Sequence, residues 1–258
     1  IYTTANTLSL HDALPIYYPR VAGAFHHSLP LREGQIGRAW DAPDPPLEAG
    51  EGWGTYRGAR GEQEAFAAFP RGSYARARMR QGDDYAWVRE VLLVHADPAR
   101  PAILVRDRFP ALPAGQKVVY TWNLAAEGPV ATPGGPVQPQ ERLYGYGNHA
   151  ADRRELPSAG PVFALPAGAN RLGLTGQAWR GAPDGGIDWD LWTVCDAEAE
   201  ALLGNWAHAW HPSPEAGEFR AAQDRPFEER QHVLRIRAGG AMDTLILPRR
   251  KGTPAAAK

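Results

Sequence analysis

Cysteine is almost absent: Cys195 is the only one in 258 residues. A single thiol makes no internal disulfide framework and no cysteine-rich zinc site. It does not fix a compartment either, because many large exported proteins need no disulfides. No apolar run approaches the roughly 18 residues that a membrane-spanning helix requires. Charge of one sign is also lacking, since 28 Lys+Arg face 29 Asp+Glu for a formal net charge of −1. That balance excludes a general attraction to nucleic acid or to an anionic membrane surface, while leaving room for a local basic groove suited to an acidic sugar. The common catalytic signatures are missing as well: no P-loop, no G-x-G-x-x-G opening a helix, no G-x-S-x-G and no H-E-x-x-H.

What is present points to strands. The 28 Gly and 24 Pro leave little room for long helices, and short strands joined by many turns are the natural alternative. Hydrophobic residues at 43% and charged residues at 22% are ordinary for a chain with a sizeable core. Ser73–Arg80 alternates strictly, with Tyr74, Arg76, Arg78 and Arg80 in one phase and Ala75, Ala77 and Met79 in the other. Tyr85–His95 (YAWVREVLLVH) is the strongest strand, and Asp97–Pro101 is a turn. Ala102–Phe109 then pairs back as a hairpin. Further short strands are expected at 64–69, 117–123, 143–146, 162–165, 171–177, 188–194, 232–237 and 243–247. Asp196–Leu203 has helical propensity, but the alternation of Trp206, His208 and Trp210 after it suits a strand. Pro129–Pro139 reads as a surface loop. The expected fold is therefore all-β: an antiparallel β-sandwich of two large sheets, supersandwich-like, with about ten strands.

The ends stand apart. Residues 1–16 (IYTTANTLSLHDALPI) lack signal-peptide grammar. Ser9 to Ile16 looks like a translated sequencing adapter in environmental DNA, which makes 1–16 a non-native or disordered tail and 17–252 the sandwich of an N-terminally truncated protein. Lys251–Lys258 is a polar run expected to fray, with 253–258 as the terminal tail.

Five groups of side chains invite a chemical reading. Trp206, His208 and Trp210 share a face if their segment is a strand, and two indoles flanking an imidazole can stack on sugar rings. Their commoner fate is an aromatic seam in a core. His26-His27 ends an apolar run, and on a strand only one of the two faces a given site. Arg89 and Asp107 fall in phase across the hairpin and should pair with each other. Asp188-Trp189-Asp190 can hold a cation, but a solvated pair at a loop edge fits better, because hard cations want six or more oxygens. Arg76, Arg78 and Arg80 can face a polyanion or simply solvent.

Three stretches resemble one known family. Ala86–Phe109 (AWVREVLLVHADPARPAILVRDRF) resembles the hairpin of heparinase II/III-like polysaccharide lyases, in which an Arg-bearing strand precedes one reading apolar–apolar–Asp. Phe25–Gln35 (FHHSLPLREGQ) is similar to the family's His-Asn-Thr segment, with His26 on the His, His27 in place of the Asn and Ser28 on the Thr. Gln231–Gly252 resembles the closing strands, and Tyr17-Tyr18 fits the aromatic approach to the His-bearing strand. The resemblance spans about residues 17–252 and implies the C-terminal sandwich of an enzyme that cleaves uronic-acid polysaccharides by β-elimination. It also implies that the catalytic N-terminal toroid is absent from this chain. A base removes the C5 proton, an acid protonates the leaving oxygen, and neutralisation of the substrate carboxylate stabilises the enolate-like intermediate. On this reading His26 is a zinc ligand of the intact protein, incompletely coordinated in this chain. Tyr18, Trp206, His208 and Trp210 contact the substrate. The partners are an acidic polysaccharide and the toroid, with no nucleic acid and no membrane span, in a periplasmic or extracellular setting. The chain alone is expected to be inactive. The competing expectation is a non-catalytic carbohydrate-binding or structural β-sandwich module.

Overall fold

The computed structural model describes residues 30–33, 40–41, 60–81, 85–97, 100–145, 160–178, 185–210 and 227–254. The side chains of 60, 81, 85, 141–145, 205–210 and 227–231 are not described. The fold is an antiparallel β-sandwich, as the alternation and the Gly/Pro content require. In chain order the strands are β1 (Pro30–Arg32), β2 (Arg60–Phe69), β3 (Gly72–Gln81), β4 (Tyr85–Val94), β5 (Ala102–Arg108), β6 (Val118–Leu124), β7 (Ala126–Thr132) and β8 (Gly135–Val137). They continue with β9 (Gln140–Gly145), β10 (Val162–Leu165), β11 (Gly168–Gly176), β12 (Ile187–Cys195), β13 (Ala199–Trp210), β14 (Phe227–Ala238) and β15 (Ala241–Arg250).

Nine strands form one sheet in the order β2-β3-β4-β5-β15-β12-β11-β7-β8, all neighbours antiparallel. The other sheet runs β1-β6-β14-β13-β10, with β9 added parallel to β13. The nine-stranded sheet has an instructive topology. β2 to β5 are a local meander, and β12 and β11 are a second local pair. The last strand, β15, lies between β5 and β12 and joins the two halves. The sheet therefore closes only when the end of the chain arrives, a non-local step of the kind that slows folding.

The core lies between the sheets. β6 is buried along its whole length. Its even residues, Val118, Tyr120, Trp122 and Leu124, join Val105, Leu191, Leu234, Ile236 and Met242 in the main cluster. Val119 points the other way and packs with Trp40 and Leu202. β6 is thus covered on both faces, with Thr121 and Asn123 buried among its apolar residues. Polar groups also tie the layers. The Tyr120 hydroxyl donates to the carbonyl of Gly239 at 2.8 Å, and the Trp189 indole donates to Ala125 O at 3.3 Å.

Two expectations need correction. Pro129–Pro139 is not a plain loop: β7 extends through Thr132, and β8 pairs back on it. The turn uses Gly135 at φ +111°, closed by a bond from the Thr132 hydroxyl to Gly135 O at 2.6 Å. β8 is the sheet's edge, where proline is tolerated because no neighbour needs its N–H. The polar run after Arg250 is held at its start. Lys251 N donates to Gly186 O at 3.0 Å, Gly252 N to Asp188 Oδ2 at 3.0 Å, and Thr253 N to Arg250 O at 3.0 Å.

Truncation after Gly240 should abolish cooperative unfolding. It removes the buried Met242, Thr244 and Ile246 and opens two internal edges. Urea titration followed by near-ultraviolet circular dichroism should show no sigmoidal transition. A normal transition would mean that the half-sheets are stable separately.

Candidate functional site

The hairpin of β4 and β5 places Arg89 directly opposite Asp107, the register that the odd-number phase implies. Asp107 is 1% exposed. Its Oδ1 accepts from Trp87 Nε1 at 2.9 Å and from Arg89 Nε at 2.8 Å, while Oδ2 accepts from Arg89 Nη2 at 2.9 Å. The guanidinium lies 4.9 Å from the Trp87 ring centroid and 5.6 Å from that of Trp122 on the opposite sheet. A bidentate, charge-assisted pair flanked by two indoles is fully occupied chemistry. It joins two strands of one sheet to the facing layer, and both oxygens of its carboxylate are engaged by donors. Burial pushes the phenol of neighbouring Tyr120 well above its ordinary range, so it stays neutral.

Asp188 and Asp190 differ from expectation. They are 5% and 4% exposed, inside β12 rather than solvated at a loop edge. Asp188 Oδ2 accepts from Arg249 Nη1 at 2.8 Å, and Asp188 Oδ1 accepts from Gly176 N at 2.9 Å. Asp190 accepts from Arg249 at 3.2 Å and from Arg171 Nη2 at 2.7 Å. Their oxygens are taken by guanidinium and amide donors, which leaves no open set for a cation. The reason is topological: β15 brings Arg249 directly opposite Asp188.

The sheet face away from the core carries the other charges. Glu64 bonds both Arg76 (2.6 Å) and Arg78, and these hydrogen bonds, Arg78's first, hold its carboxyl below the usual range against the opposing effect of burial. Arg76 lies 3.9 Å from Glu90, which also accepts from the Tyr74 hydroxyl at 2.6 Å. Arg106 and Arg108 converge on Asp243 at 3.0 and 3.1 Å. Arg76 and Arg78 are thus paired with a carboxylate of the sheet rather than merely solvated.

His232 is the one described histidine in the core. Its Nε2 donates to Gly128 O at 2.8 Å, and burial lowers its pKa below the ordinary 6.5. Burial likewise pushes the Cys195 thiol up, which makes it inert near neutrality.

The remaining candidates divide as follows. Trp206, His208 and Trp210 do lie on a strand, with Gln231, Glu229 and Phe227 as their partners across β14; their side chains fall outside the described residues. Tyr18, His26 and His27 lie wholly outside them. Among the described residues no three His, Cys, Asp or Glu side chains group as a metal site. No helix among them is long and apolar enough to cross a membrane. The sequence matches no protein-family model, and no curated protein matches it.

Asp107→Ala should cost about 3–5 kcal/mol, because it strands a largely buried guanidinium and an indole N–H. The double variant Arg89→Met/Asp107→Leu should recover much of that loss. Urea midpoints of the three proteins check this; equal losses in the single and double variants would contradict it.

Proposed function

We propose that this chain is the sandwich portion of a lyase that cleaves uronic-acid polysaccharides by β-elimination, and that the sandwich holds polymer rather than breaking it. The observation that carries the reading is the Arg89–Asp107 pair across β4 and β5. It is the structural core of the motif by which Ala86–Phe109 resembles the heparinase II/III-like hairpin, set in a two-sheet sandwich of the kind that resemblance implies.

The division of labour follows from chemistry. β-Elimination needs a base at C5, an acid at the leaving oxygen and neutralisation of the substrate carboxylate, all brought within reach of one sugar. The three buried carboxylates among the described residues, Asp107, Asp188 and Asp190, are each engaged by arginine. None of the three is a free base. In this proposal the acid–base set belongs to a toroid outside this chain, zinc is held at His26 of the intact protein, and the polymer sets a periplasmic or extracellular location. The same occupied carboxylates favour a second reading, a carbohydrate-binding or structural module with no lyase partner.

Polygalacturonate, alginate and heparin incubated with the purified chain should give no rise in the ultraviolet absorbance of unsaturated uronates. A steady rise would place a catalytic set within these residues. The gene upstream separates the two readings: a helical toroid supports the lyase, and any other domain supports the module.

A further inference from the structure

The outer face of the nine-stranded sheet carries an order that single strands do not reveal. Cross-strand register aligns Tyr74, Leu92, Leu104, Leu245 and Trp192 in one row over β3, β4, β5, β15 and β12, and the row ends on Arg171 in β11. Four strand steps separate Tyr74 from Trp192, about 19 Å at the usual spacing. Leu104 is 36% exposed. The row is therefore a shallow apolar track across the strands, with an aromatic ring towards each end.

The adjoining row is charged. It reads Arg76, Glu90, Arg106, Asp243 over β3, β4, β5 and β15. Its two guanidiniums, Arg76 on β3 and Arg106 on β5, stand two strands apart, roughly 10 Å. The charges are layered in depth as well. Side chains of Arg76, Arg106 and Arg171 are 39%, 48% and 34% exposed, while their partners Glu64, Asp243 and Asp190 are 22%, 29% and 6% exposed. The carboxylates lie beneath, and the guanidinium edges face outward. A guanidinium has five N–H donors, so one carboxylate below leaves donors for a second above.

We infer that this face binds a linear carboxylated polysaccharide running across the strands along the Tyr74–Trp192 row. The match is chemical and geometric. A pyranose presents an apolar C–H face to aliphatic and aromatic side chains. An extended uronate ribbon turns every second carboxylate to the same side, which suits the two-strand spacing of Arg76 and Arg106. The outward guanidinium edges, more exposed than the carboxylates that hold them, supply the charge complementarity. The inference rests on the polysaccharide-binding reading above and names the surface that serves it.

The test is titration of the whole chain with polygalacturonate oligomers and, separately, with neutral dextran of equal length. Arg106→Gln/Arg171→Gln and Leu104→Glu are the variants, and Arg71→Gln, in the exposed β2–β3 turn, is the control. Each protein's melting temperature confirms that it is folded. Binding of polygalacturonate but not dextran is expected, weakened at least tenfold in both variants, unchanged in Arg71→Gln and reduced by added salt. If polygalacturonate binds and both folded variants bind it equally well, this surface is the wrong one although the polymer-binding reading survives. If the wild-type chain binds no polygalacturonate, both fall. If dextran binds as tightly, the guanidinium layer is not the recognising element.

Discussion

The position of β15 constrains the rest of the structure. A nine-stranded sheet assembled from a local meander and a distant pair has two internal edges until the last strand fills the gap. Each seam then carries its own ionic clasp on the outer face. Asp243 joins β15 to Arg106 and Arg108 of β5, while Arg249 joins it to Asp188 and Asp190 of β12. Individually, the partly exposed Asp243 pairs are worth ~0–1 kcal/mol, whereas the Arg249 pairs engage buried carboxylates. Their significance is registration: a slip of one residue in β15 would turn Met242, Thr244 and Ile246 out of the core and bring Asp243 and Arg249 into it.

Arginine–carboxylate pairing recurs at every depth with different consequences. At Asp107 the pair is buried between sheets, held by two guanidinium bonds and one indole bond, and it fixes the β4–β5 register. At Asp190 the carboxylate is buried but its arginines reach the surface. At Asp243 both partners are partly exposed. The series runs from a sealed joint to an accessible surface, because guanidinium can bond a buried acid on one edge and present donors on another.

Much of the fold was legible in the sequence. β4 and β5 are β-branched, alternating and separated by a Pro-containing turn, and local pattern alone was enough to pair Arg89 with Asp107. β7 and β8 were hidden because Gly128 at φ +71° and Gly135 at φ +111°, with Pro129 and Pro136 beside them, look like loop residues. The burial of Asp188 and Asp190 was hidden for another reason: Arg249 lies 61 and 59 residues away, so nothing local signals the partner. The outer row was the least visible. It draws one residue from each of five strands whose spatial order, β3-β4-β5-β15-β12, is not their order along the chain.

The most direct measurement is the arginine side-chain Nε–Hε nuclear magnetic resonance spectrum, recorded while polygalacturonate oligomers are added. Resonances of Arg76, Arg106 and Arg171 on the outer face should shift with saturation, while that of Arg89, sealed against Asp107, should stay in place. Movement of Arg89 with the outer arginines unmoved would contradict binding on the outer face and put the ligand between the sheets instead.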